Sequence, residues 1–166
     1  KLLKLASILL NRQDCFFSYN ELHIRQPNIK HSIPSHQDNF YFSLKQSTAL
    51  TCYVFLTEQS RNSGGLGFLP CNIADQKVES HLPSKVTGFS SFVKEKEDIK
   101  DLFEYPRTNI GDVIFHHCTT FHRADSNQSN NPTVAASLRV FSAGLLEKDK
   151  ILEKKYLNNR TINRAI

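Results

Sequence analysis

Ser35-His36-Gln37-Asp38 is followed, after Asn39, by the aromatic run Phe40-Tyr41-Phe42. In an extended segment residues i and i+2 point the same way, so His36 and Asp38 can present an imidazole nitrogen and a carboxylate oxygen to one point. A second imidazole from a distant strand would complete a face of two histidines and one carboxylate. Such a face holds Fe(II) and leaves positions open for other ligands. An isolated His-x-Asp also fits a plain surface turn. His36 is nevertheless the only one of the seven histidines with an acid two residues later.

Outward from this stretch the chain reads as short strands. Upstream, Phe16, Phe17, Tyr19, Leu22 and Ile24 suit a strand that runs from Cys15 and ends near Pro27. Residues 2–11 carry Leu2, Leu3, Leu5, Ile8 and Leu9 at helical spacing. His31 to His36 reads as loop, broken by Pro34, and Phe40 to Phe42 as a short aromatic strand. Downstream, residues 48–57 (TALTCYVFLT) are apolar on both faces and predict a central strand. Arg61 to Gly65 is a turn before a strand over Leu66–Leu69 that Pro70 stops.

Residues 71–101 are polar and weakly patterned, an excursion with some helix around 91–101 that suits a lid. Strand character returns at Leu102–Tyr105, Val113–Phe115 and Thr133–Phe141, with a loop at 124–132. The charged tail from Leu145 reads as helix, then frayed. Many short strands and few helices point to a sandwich or jelly roll. At 166 residues the chain suits a single domain over 1–166, with a core at about 15–144 and the tail at 145–166. It opens on Lys1, which reads as a chain truncated at its N-terminus.

With 39% hydrophobic and 22% charged residues the composition is that of an ordinary soluble protein. The net charge of +5 is spread out, and no aromatic residues are interleaved with phosphate-reading spacing, so nucleic acid is not an expected partner. No apolar run reaches ~18 residues, so no membrane span is expected. The four cysteines form no CxxC pair and read as reduced thiols of a cytoplasmic protein. Serine triads, phosphate loops and paired-carboxylate glycosidase sites have no candidates with meaningful spacing.

His116, His117 and His122 are the candidates for the second imidazole. Arg139 lies among Ala135, Ala136, Leu138, Val140 and Phe141. A charge within such a strand needs a partner, and a carboxylate suits a guanidinium because it is gripped by two parallel hydrogen bonds.

Three segments in order resemble one known family. His36-Gln37-Asp38-Asn39-Phe40-Tyr41 is similar to the proximal iron motif of the phytanoyl-CoA dioxygenase family. Leu50–Leu56, with Asn62-Ser63-Gly64-Gly65 and Leu69-Pro70, is similar to its next strand and turn. Gly111-Asp112-Val113-Ile114-Phe115-His116, leading to His122, Asn127 and Ser129, resembles its distal histidine segment. The resemblance implies a mainly β fold, a double-stranded β-helix of the cupin-like jelly-roll type with a few flanking helices. It implies Fe(II) held by His36, Asp38 and His122, with 2-oxoglutarate as cosubstrate. Dioxygen would convert 2-oxoglutarate to succinate and CO2 while a small-molecule substrate is hydroxylated. In many members an arginine eleven residues after the distal histidine grips the far carboxylate; here that position is Thr133. Arg139 is the arginine on this strand, and Thr133 and Arg25 are the other candidates for cosubstrate binding. Past Pro70 the chain reads Cys71-Asn72-Ile73, where the family often continues Gly-Ser-His. Two other readings are a cupin-like metal enzyme that does not use 2-oxoglutarate, and a non-catalytic β-sandwich fragment. Oligomeric state and prime substrate are not read from the sequence.

Overall fold

The structure is a computed structural model and describes residues 1–70, 77–86, 88–95 and 97–164. Cys71-Asn72-Ile73, part of the 71–101 excursion and the end of the tail lie outside the described residues. The chain begins with helix α1 (Leu2–Leu10) and continues through β1 (Cys15–Arg25), β2 (Ile33–His36), α2 (Asp38–Phe42), β3 (Ala49–Phe55) and β4 (Leu66–Phe68). A two-residue hairpin, β5 (Leu82–Pro83) and β6 (Ser91–Phe92), precedes β7 (Val113–His117), β8 (His122–Ala124), β9 (Thr133–Ser142) and α3 (Lys150–Arg164). The larger sheet runs β1-β9-β3-β7 and the smaller β2-β8-β4, all antiparallel. This is the jelly roll that the strand pattern and the resemblance imply.

The 48–57 run sits as β3 between β9 and β7, which is why both of its faces are apolar. On its outer face Leu50 meets Val140 and Ala6 of α1, with Leu3 and Leu10 packed alongside. On its inner face Tyr53 and Phe55 meet Ile33 and Leu66 of the smaller sheet, along with Ala124 and Ala135. A second apolar cluster, Phe42, Leu44, Ala49, Cys118 and Phe141, closes one end of the barrel.

Three local expectations differ from the structure. Phe40–Phe42 lies in helix α2, because the backbone turns at Asp38 and buries Phe40 and Phe42 on different neighbours. Ile33–His36 is strand β2 rather than loop, since Pro34 is tolerated on a short strand whose pairing with β8 is irregular. Leu102–Tyr105 forms no strand and meets β4 through one bridge, Phe68 with Glu104. Cys15, Cys52 and Cys118 are free thiols.

Candidate metal centre

His36 ends β2 and His122 begins β8, and the two residues are paired in register. Asp38 begins α2 one residue later than Gln37, so the turn into the helix swings its carboxylate back towards both imidazoles. Its Oδ1 lies 3.9 Å from His36 Nε2 and 3.8 Å from His122 Nε2. Among the described residues, His36, Asp38 and His122 are the His, Cys, Asp or Glu group whose ligand atoms all lie within 4.8 Å of one another, and all three are buried.

The hydrogen bonds behind the rings set which nitrogen is free. His36 Nδ1 is 2.8 Å from the Pro34 carbonyl and His122 Nδ1 is 3.0 Å from the Thr120 carbonyl. A carbonyl only accepts, so each Nδ1 carries the proton and each Nε2 keeps its lone pair. Burial lowers the pKa of both rings, well below the usual histidine range for His122, which keeps them neutral. Burial alone would raise the Asp38 carboxyl, but the hydrogen bond from His116 leads the effects that outweigh it and hold the group well below the usual carboxylate range. Two neutral imidazoles with bare Nε2 atoms and one ionised carboxylate fit a divalent first-row metal.

Gln37, between the two proximal residues, is fully buried and bonded on every side. Its side-chain amide donates to the Lys77 and Thr119 carbonyls at 2.9 and 2.7 Å and accepts from Glu79 N at 2.7 Å. Its backbone N–H donates to His81 Nε2 at 3.1 Å, and the His81 ring stacks on Phe40 with centroids 4.1 Å apart. The sequence placed a polar lid over this region. In the structure Lys77, Glu79 and His81 clamp the turn that carries His36 and Asp38. Asn159 of α3 secures the clamp by donating to the His81 carbonyl and to Ser91 Oγ, 3.1 Å each.

A cavity of about 640 Å³ opens beside the three residues, with Tyr19, Tyr41, Phe89 and Tyr156 among its walls. That size suits a small molecule. Arg139 lines it, 9% exposed, with Nη2 donating to Glu21 at 2.5 Å and Nη1 to Ser137. Thr133 and Arg25 face each other at the opposite end of the β1–β9 ladder and do not line the cavity. The Thr133 hydroxyl donates to the Ser63 carbonyl at 3.2 Å. Arg25 donates to the Asp125 carbonyl and keeps a buried Nη2 without a partner. Tyr53 feels the charge of both arginines, and its phenol is pushed up to about 12, by burial more than their charge lowers it.

Of the three distal histidines weighed from the sequence, His117 bonds Thr119 beside it and His116 bonds Asp38 from the neighbouring sheet. The sequence reading passed over Thr51, which donates to Asp38 Oδ2 at 2.5 Å, as well as His81 and the contribution of α3. Alternation along β3 was the available signal for Thr51, because it shares a face with Tyr53 and Phe55.

The sequence model for phytanoyl-CoA dioxygenase matches residues 2–134. The chain belongs to the phytanoyl-CoA dioxygenase family. Fe(II) and 2-oxoglutarate are the cofactor and cosubstrate that this membership assigns. No protein among the curated sequences matches the chain. Among solved structures, EvdO2 from Micromonospora carbonacea var. aurantiaca complexed with 2-oxoglutarate is 21% identical with a TM-score of 0.72, covering 86% of this chain and 58% of its own. EctD from S. alaskensis with 2-oxoglutarate and 5-hydroxyectoine is 18% identical with a TM-score of 0.67, covering 87% and 50%. The non-heme alpha ketoglutarate dependent epimerase SnoN from nogalamycin biosynthesis is 22% identical with a TM-score of 0.63, covering 86% and 52%. At these identities the likeness shows the fold. The chain spans between 50 and 58% of the length of these three proteins. No described helix is long and apolar enough to cross a membrane.

Proposed function

We propose that the chain is an Fe(II)- and 2-oxoglutarate-dependent dioxygenase that hydroxylates a small molecule, working as one domain in the cytoplasm. His36, Asp38 and His122 are its metal ligands. The observation that carries this reading is the convergence of two bare Nε2 atoms and one carboxylate oxygen at the wall of a small-molecule cavity.

Bound iron supplies dioxygen activation coupled to conversion of 2-oxoglutarate into succinate and CO2. The chain's own part is binding and positioning. His36 and His122 are held by backbone carbonyls that fix their tautomers. Arg139 is the buried arginine on the cavity wall, where Arg160 is exposed, and meets the far carboxylate of 2-oxoglutarate, exchanging its bond to Glu21, which is half exposed. Arg25 is the rival cation, supported by its unpartnered Nη2. Phe89 and Tyr41 pack edge-on against His36 and would shield that imidazole from water when a metal is held.

The test is succinate release from 2-oxoglutarate on addition of Fe(II), comparing the wild type with His36→Ala. Metal-dependent succinate in the wild type alone supports the reading, and equal succinate in both removes it. The existing Arg139–Glu21 pair keeps a second reading in view, a metal enzyme that does not use 2-oxoglutarate. Oxygen uptake without succinate would favour that reading.

A further inference from the structure

We infer that His116 is a positioning residue for the metal: with Thr51 it holds the outer oxygen of Asp38, so that the carboxylate meets the ion through Oδ1 alone. The inference rests on the ligand assignment above.

Thr51 and His116 stand directly opposite each other across the β3–β7 ladder. Both reach the same atom, Asp38 Oδ2, from Thr51 Oγ1 at 2.5 Å and His116 Nε2 at 3.2 Å. A carboxylate ligand only accepts, so both groups donate. The other oxygen, Oδ1, is the one that faces His36 and His122. Both lone pairs of Oδ2 are thus taken, and chelation of an ion through both oxygens would displace at least one of two buried hydrogen bonds. Fixing Asp38 as a single-oxygen ligand leaves one more coordination position free.

The state of the His116 ring supports this role over simple packing. It lies between Phe68 and His122, with centroids 5.4 and 4.4 Å away, a setting that an aromatic hydrocarbon would fill. As an imidazole it leaves Nδ1 buried without a partner, which a phenyl ring would not. What the imidazole adds is the Nε2–H aimed at Asp38. His116 is not among the three groups whose ligand atoms converge, so it acts on the ion through Asp38.

The experiment titrates the purified, metal-free chain with Co(II) and follows both affinity and the visible d–d absorption. The variants are His116→Phe, His116→Gln, Thr51→Val and Asp38→Ala. The expected result is a roughly 10–100-fold weaker affinity in His116→Phe, the usual range for loss of such a partner. Its absorption should also weaken as Asp38 moves to two-oxygen ligation and raises the coordination number. His116→Gln, which keeps an N–H at the same reach, should restore both. Wild-type affinity and spectrum in His116→Phe would overturn the inference. So would a His116→Gln variant that folds but behaves no better than His116→Phe. Failure of the ligand assignment looks different: the wild type then binds no Co(II), or Asp38→Ala binds it as the wild type does.

Discussion

His36 and His122 are register partners across the β2–β8 ladder, their ring centroids 4.2 Å apart, so one strand pairing brings together two imidazoles that are distant along the chain. Asp38 is then placed by the turn that follows His36. Metal affinity should therefore depend on the smaller sheet, and particularly on β4, which pairs with β8 on the side away from β2.

Gly67 of β4 tests that dependence. A Cβ at this position would lie 2.5 Å from Cζ of Tyr105, whose hydroxyl is held by Arg123 at 2.8 Å. Gly67→Ala must push the ring or the strand aside, at a cost of about 1–3 kcal/mol. Because Phe68 beside it packs on both His116 and His122, metal affinity should fall along with stability. Urea unfolding and Co(II) titration of the variant check the two effects, and unchanged values in both would contradict the packing described.

The two arginines make separable predictions for 2-oxoglutarate. Arg139→Met should raise the KM for 2-oxoglutarate about 10-fold or more, the size expected for losing a charge-assisted pair. Arg25→Met should act mainly on stability, because its guanidinium is bonded to the Asp125 carbonyl and lies off the cavity. Steady-state succinate formation at varied 2-oxoglutarate separates them. A larger KM effect in Arg25→Met would reassign the far carboxylate to that residue.

The metal-free protein should lose stability in mild acid. Burial pulls the His81 pKa down to about 4, against 6.5 for a free histidine. Its folded-state pKa is depressed, so its contribution is complete above about pH 6.5 and is lost as pH falls towards 4. One such group changes stability by about 1.4 kcal/mol per pH unit inside that window. His36 and His122 are shifted in the same direction by burial. Urea unfolding at pH 7.5 and pH 5 should show a drop of about 2 kcal/mol from His81 alone. His81→Phe, which keeps the stack on Phe40, should reduce the dependence by the His81 share and leave that of His36 and His122, whereas equal stability at both pH values in the wild type would contradict the assignment.

The legible parts of the molecule were those in which neighbouring residues carry the information. His36 and Asp38 are two apart, and the β3 run is apolar over enough residues to mark a strand buried on both faces. Phe40-Tyr41-Phe42 is too short for periodicity to separate helix from strand, and the turn at Asp38 settles it. Strand β8 has three residues, and only its pairing with β2 and β4 defines it. The bonds of Thr51 and His116 to Asp38 depend on the β3–β7 register and on which face of the sheet looks inward, neither of which is local. The clamp of His81 on Gln37 joins a weakly patterned segment to the proximal motif, and no spacing rule announces it. The departure at Thr133 was visible as a missing arginine, but that Arg139 lines the cavity and Arg25 does not became apparent only once β9 was placed.

A crystal structure of the chain soaked with Mn(II) and 2-oxoglutarate, with the ion located by anomalous scattering, tests the central claim most directly. The ion should lie between His36 Nε2, Asp38 Oδ1 and His122 Nε2 at roughly 2.0–2.2 Å, a range taken from zinc sites, with Asp38 Oδ2 still held by Thr51 and His116. An ion bound elsewhere, or a site that stays empty under saturating metal while the fold is intact, would contradict it.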